Sequence, residues 1–305
     1  MTLANIDTEW KYPETVTKKL WSLRTNPDEP CFNPKCPGFI GSSWFPMKSK
    51  EAYMYCKVCL EKASVKVDSF LEHSHLKLPV AIRIAFELVS NYFGISASKI
   101  SREYKIAPDT ALRYLHLIRD AMGYCLPLKF ENAWIEVDEY FVKVGNLGLT
   151  RSFDKLRGEG TLMVPVIGII QRNGPALLKK VITVDGPTIK KIFDDYVDKS
   201  CKIFTDEKPV YKFLKAAGYD HEYVNHKEKE FVRDSASTNN VEALNNRFNS
   251  ILETYGNVKD DKLQFYCNEV AFKHTFSRLP DYGFSILLEN LKPLSLHYNK
   301  GKYSR

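Results

Sequence analysis

The chain has no run of about 18 apolar residues, so it offers no segment able to cross a bilayer as a helix. Its opening, MTLANIDTEWKYPE, lacks the basic stretch followed by an apolar one that marks a secretory signal. Nor are its cysteines the even set of a disulfide framework. There are seven, at 31, 36, 56, 59, 125, 201 and 267, the first four clustered and the others scattered. That usage fits a reducing, intracellular setting, cytoplasmic or nucleoid-associated in a prokaryote and nuclear in a eukaryote. What is present is ordinary: 305 residues, 44% hydrophobic and 27% charged, enough for two soluble globular domains. Net charge is +7, and it is uneven: 18 Lys/Arg face 13 Asp/Glu up to Phe130, against 26 and 24 beyond it. A basic front half suits a phosphate backbone as partner, although charge alone decides little.

Cys31 and Cys36 stand in CFNPKC, Cys56 and Cys59 in YCKVCL. Two pairs about 20 residues apart suit a tetrahedral zinc ion, each pair forming a turn that aims two thiolates at one point. The segments FIGSSWF and AYMYC between and beside them read as short strands. The expectation is a zinc ribbon with a structural Zn²⁺. Buried free thiols are the alternative.

LPVAIRIAFELVSNYFG then reads as an apolar helix, with Pro79 in its first turn and Gly94 closing it. SASKISREYKIAPDTALRYLHLIRDAM divides at KIAPD, where Pro108 cannot continue a helix and Asp109 is a suitable N-cap for the next. Leu112, Leu115, Ile118 and Met122 recur at helical spacing and are expected inside. Thr110, Arg113 and Tyr114 are expected at the exposed start of that helix, with Arg119 further on. Such a pair suits a helix-turn-helix that reads DNA, or simply two packed helices.

From Trp134 the pattern changes to strands. WIEVDEYFVKV, TLMVPVIGIIQR and ALLKKVITV read as three successive strands; a helix over TIKKIFDDYVDK, a strand in CKIFTDE, a helix in PVYKFLKAAG, a short strand in HEYVNH and a helix over STNNVEALNNRF follow. The order implies an α/β fold, a mixed sheet covered by helices. Asp138 lies within the first strand, where an ionised group is costly unless paired or coordinated. Asp206 ends a buried-looking strand, where ligand sites of open α/β sheets gather. Glu242 lies on the last helix, on one face with Asn245, Asn246 and Asn249, beside the apolar stripe of Val241, Leu244, Phe248, Ile251 and Leu252. Asn239 as N-cap with Glu242 three residues on also reads as a capping box. If the three acids converge, they suit two Mg²⁺ or Mn²⁺ ions, which prefer hard oxygen ligands and promote phosphodiester cleavage.

The ordered set of blocks YCKVC, SFLEHSHLKL, ISREYKIAPDTALRYLHLIRDAM, IEVDEYFV, FTDEKPVYKFLKAAGYDHEYVNHKEKEFV, ASTNNVEALNNRFNSIL and LQFYCNEVAFKH resembles insertion-sequence DDE transposases, the prokaryotic relatives of Merlin elements. Those proteins join a zinc ribbon and a helix-turn-helix to an RNase H-like catalytic domain. The resemblance implies Asp138, Asp206 and Glu242 as a metal-binding triad, with Asn239 before the acid and His226 as an auxiliary. It also implies binding of terminal inverted repeats and target DNA, metal-dependent cleavage and strand transfer, and a homodimer or larger assembly. Thr110, Arg113, Tyr114, Asn239, Asn246, Arg247 and Asn249 are the candidate DNA contacts. The family usually has a lysine where this chain has Asn249. The domains expected are 1–70 with the ribbon, 71–128 with the helix-turn-helix, 129–290 with the RNase H-like fold, and a basic tail over 291–305. Two other readings stand beside this one: a transposase-derived DNA-binding protein without activity, and an RNase H-like nuclease.

Overall fold

The computed structural model describes residues 10–72, 74–144, 163–224, 238–256 and 258–290. The chain forms two compact units. One comprises Met1–Asn91, Ala97–Tyr124 and Leu279–Arg305; the other comprises Tyr92–Ser96 and Cys125–Arg278. Among the described residues no helix is long and apolar enough to cross a membrane.

The first unit opens with α1 (Pro13–Arg24), which buries Val16, Leu20, Trp21 and Arg24 along one face. Buried arginine is tolerated because its guanidinium donates to the carbonyls of Val65 at 2.6 Å and Val67 at 2.5 Å. A helical turn, α2 (Ile40–Ser43), leads into a three-stranded antiparallel sheet of β1 (Trp44–Pro46), β2 (Tyr53–Cys56) and β3 (Lys62–Ser64). The segment FIGSSWF is therefore part helical, with the strand starting only at Trp44. Trp21 stacks on Trp44 at 4.8 Å, and Phe32 meets both rings edge-on. α3 (Leu78–Ser90) buries residues on almost every side, as a central helix must. α1, α5 (Pro108–Tyr124) and α10 (Pro280–Glu289) all pack on it.

α4 (Ala97–Tyr104) and α5 are joined by a tight turn in which Lys105 takes a left-handed φ of +52°. Several expectations here are corrected. α5 begins at Pro108, so Asp109 lies inside its first turn and is not the N-cap. Tyr114 is buried, its hydroxyl donating to the Ala81 carbonyl at 3.1 Å, and Arg119 is fully buried. Leu112, expected inside, is exposed, while Thr110 and Arg113 are exposed as expected. The inward stripe is Ala111, Tyr114, Leu115, Ile118 and Met122, one face set by the position of α3. α10 buries Phe284, Leu287 and Leu288 within the first unit.

The second unit is built on a five-stranded sheet of β4 (Trp134–Lys143), β5 (Met163–Gln171), β6 (Ala176–Lys180), β7 (Lys202–Asp206) and β8 (Asp220–Val224), ordered β6-β5-β4-β7-β8. β4 pairs antiparallel with β5 and parallel with β7, and β7 is parallel to β8. This mixed sheet, with helices packed on it, is the RNase H-like arrangement that the resemblance implies. α6 (Gly186–Tyr196) connects β6 to β7 and is capped by Asp185, whose carboxylate accepts from the Thr188 amide at 2.8 Å. A 3₁₀ turn at Pro209–Tyr211 and the short α7 (Phe213–Ala216) connect β7 to β8. α8 (Asn239–Tyr255) packs on β4 and β5, and α9 (Leu263–Thr275) on β6. Gly168 on β5 lets α8 come close, since a β-carbon there would sit 3.0 Å from a methyl of Val241.

Candidate active site

β4 carries three acids in four positions: Glu136, Asp138 and Glu139. Glu136 is fully buried and completely paired. Its carboxylate accepts from the Asn240 amide at 2.8 Å, the Val241 amide at 3.2 Å, the Asn240 side chain at 2.8 Å and Arg172 Nε at 2.9 Å. It therefore occupies the N-terminus of α8, where free amides and the helix dipole favour an anion. Two residues along the same strand face, Asp138 accepts from the Asn245 side chain at 3.3 Å. A rise of about 6.6 Å between alternate strand residues matches four to five helical residues at about 1.5 Å each. Glu136 and Asp138 thus hold α8 in register with β4.

Asp138 and Asp206 lie on neighbouring strands and meet around one cation. Lys208 Nζ is 2.8 Å from Asp206 Oδ2, 2.6 Å from Glu139 Oε1 and 3.5 Å from Asp138 Oδ1. Glu139 is buried and accepts from the Tyr211 hydroxyl at 2.6 Å. Burial pushes the Asp138 carboxyl up to about 6; Lys208 pulls it down, and Glu139 and Asp206 push it further up. Asp206 is likewise raised by burial, with Lys208 opposing the shift. Asp206 Oδ1 and Asn245 Oδ1 are buried oxygen acceptors without a hydrogen-bond partner among the described residues.

Glu242 does not complete this group. It is exposed, and Thr238 Oγ1 donates to its Oε1 at 2.9 Å. Among the described residues no three carboxylates bring ligand oxygens within 4.8 Å of one another. The capping-box reading fails as well: α8 begins at Asn239, the cap position is Thr238, and no cap side chain bonds the helix amides. Asn239, Asn246 and Asn249 are exposed, and Arg247 lies 3.7 Å over the Tyr92 ring. His226 lies outside the described residues. Its neighbour in sequence, His221, is buried, bonds Thr205 Oγ1 at 2.9 Å, and is driven down to about 4 by burial.

The atoms that Asp138, Glu139 and Asp206 could offer a metal are all carboxylate oxygens, with Lys208 Nζ now seated among them. That set fits a hard divalent cation. A second candidate metal site lies in the first unit. Cys31 and Cys59 Sγ are 3.6 Å apart, Cys36 and Cys56 Sγ are 3.7 Å apart, and all four sulfurs lie within 4.8 Å of one another. A tetrahedron with zinc–sulfur bonds of about 2.3 Å has edges of about 3.8 Å, so the four thiols fit zinc closely. Burial pushes the Cys31 thiol up to about 12, so metal binding there displaces a proton.

The family model for the ISXO2-like transposase domain matches residues 132–275, which span all five strands, the acids of β4 and the whole of α8 and α9. This segment is similar to ISXO2-like transposase domains. A comparison of the chain with curated proteins finds no match. In this segment the sequence singles out Asp138 and Asp206 but not Glu136, Glu139, Lys208 and Tyr211, which the fold gathers around them. Glu136 carried a signal, since it shares a strand face with Asp138 at a spacing of two. Lys208 is one of 44 Lys and Arg in the chain, and only the return of β7 beside β4 distinguishes it.

Proposed function

We propose that the chain is a DNA transposase that cuts the ends of its element and joins them to target DNA with divalent metal. One observation carries this reading: in the segment that matches the transposase family, two half-buried carboxylates from adjacent strands, Asp138 and Asp206, share one cation, and Asp206 Oδ1 is buried with no hydrogen-bond partner among the described residues. Asp138 and Asp206 are the residues that would hold the ion; Glu242, exposed on α8 and outside their group in this structure, is the third acid only by the resemblance and would have to move to reach them. A bound Mg²⁺ or Mn²⁺, or a pair of them, makes the attacking oxygen more acidic and offsets charge on the scissile phosphate. Glu136 fixes α8 against the sheet, and Tyr211 fixes Glu139 beside the pair. Asn239, Asn246 and Asn249 present amides from the exposed side of α8 to the DNA backbone.

The first unit binds the terminal repeats. Lys99, Arg102, Lys105, Thr110 and Arg113 are exposed on α4, its turn and the start of α5, a basic surface fit for phosphates. Tyr114 belongs to the core under that surface. The zinc-held sheet completes the unit. Joining two DNA ends calls for a dimer or larger assembly.

The test is cleavage of end-labelled terminal-repeat DNA with Mg²⁺ or Mn²⁺. Asp206→Asn is expected to lower cleavage by at least about a thousandfold, the scale lost when a metal-holding group is removed, while terminal-repeat binding stays within about twofold. Equal cleavage by the variant and the native chain overturns the assignment. Binding without cleavage by the native chain supports the inactive, DNA-binding reading.

A further inference from the structure

The Lys208 ammonium is surrounded by carboxylate oxygens from Asp138, Glu139 and Asp206, at 3.5, 2.6 and 2.8 Å. Two of these acids are the ones assigned to the divalent ion. An ammonium is a compact point charge with three donors, so it meets the same oxygens that a hard cation needs. The acids around it are held from elsewhere: Glu139 by Tyr211, and Asp138 by Asn245. The lysine is not. It stands in the turn after β7, immediately before the 3₁₀ turn, and its side chain is 43% exposed. It can swing to solvent without disturbing the core, whereas the carboxylates stay in place.

We propose that Lys208 is a tethered counter-ion for the site: it occupies the carboxylates of Asp138 and Asp206 in the resting protein, and a divalent cation must displace it to bind. The proposal rests on the metal site described above. Lysine and metal exclude each other, because both need the same oxygens and their charges repel at contact distance. The lysine neutralises acids that otherwise repel one another. It also lowers the apparent affinity for metal by the fraction of molecules in which it is seated.

Two measurements on the zinc-loaded full chain test this. In the first, Mn²⁺ is titrated and the free ion followed by electron paramagnetic resonance. Lys208→Gln is expected to bind Mn²⁺ about tenfold more tightly than the native chain, the factor for a lysine seated about nine-tenths of the time. Equal or weaker binding by Lys208→Gln overturns the proposal. In the second, the native chain is acetylated with and without Mn²⁺, and Lys208 is compared by mass spectrometry with the exposed Lys212 and Lys215. Mn²⁺ is expected to raise the Lys208 rate severalfold relative to those two. An unchanged rate shows that the lysine acts through space without leaving, and also overturns it. Asp206→Asn is the control that separates this idea from the one beneath it. If that variant binds Mn²⁺ as the native chain does, the metal site itself is misassigned; if it loses binding while Lys208→Gln gains none, only the counter-ion role fails.

Discussion

An aspartate inside a strand keeps its charge only when its surroundings return what burial removes. Asp138 is held incompletely: Asn245 and Lys208 favour the carboxylate, but burial and two neighbouring acids leave its carboxyl near 6. A metal ion binds the ionised form, so protons compete with it. Mn²⁺ affinity is expected to be flat above about pH 7 and to fall roughly tenfold per pH unit below about pH 6. Titration calorimetry across that range checks it, and a flat profile from pH 7 to 5 contradicts it. Folding without metal has the opposite sign. A carboxyl raised in the fold favours the fold when protonated. Its contribution is therefore present below the ordinary carboxylate range and lost as pH rises through about 6. Asp138→Asn removes that slope. Sequence alone exposed Asp138 and Asp206, because an acid in an apolar strand conflicts with its neighbours. It gave no view of Glu139, Lys208 or Tyr211, whose meeting depends on β7 returning parallel to β4.

At the scale of elements, α8 is positioned by a buried anion as well as by its apolar stripe. Glu136 satisfies two first-turn amides and Arg172 together. Removing it takes the buried anion away from Arg172 and from the first-turn amides of α8, at a cost of about 3–5 kcal/mol. Glu136→Ala is expected to lower the unfolding free energy of a 125–278 fragment by that amount in urea, with Glu136→Gln losing less; a change under 1 kcal/mol contradicts the clamp. The order of strands and helices was legible, because periods of 2 and 3.6 alternate cleanly beyond Trp134. The boundaries and faces of α5 and α8 were less so. α5 starts one residue before the cap-like Asp109 and α8 starts on the cap-like Asn239 itself, so neither side chain stands outside its helix. Leu112 and Tyr114 exchange places because α3 decides which stripe of α5 is covered, and no residue of α5 records that. The cysteine pairs, in contrast, were fully legible, since metal spacing is local. Chelating the zinc, or Cys36→Ser, is expected to abolish terminal-repeat binding and leave Mn²⁺ binding within about twofold. Gel-shift and calorimetry on one preparation check both parts.

Across the whole molecule, the chain passes between its two units four times, at Asn91–Tyr92, Ser96–Ala97, Tyr124–Cys125 and Arg278–Leu279. The first unit is consequently assembled from both ends of the sequence, and its core is incomplete without α10. Phe284 is fully buried there, edge-on to Phe86 at 5.1 Å and to Trp10 at 6.4 Å, with Leu287 and Leu288 beside it. Burying three such side chains contributes roughly 1.5–3 kcal/mol each, which together rivals the roughly 5–15 kcal/mol that keeps a whole domain folded. A chain ending at Arg278 is therefore expected to lose the cooperative melting of the first unit and its binding of terminal repeats. The transposase domain ends before that point and keeps every strand and acid of its site, so Mn²⁺ binding is expected to persist. Calorimetry of the truncated chain separates the outcomes. One transition that retains Mn²⁺ stabilisation agrees with a unit closed by α10, whereas full terminal-repeat affinity shows that the front half folds without it.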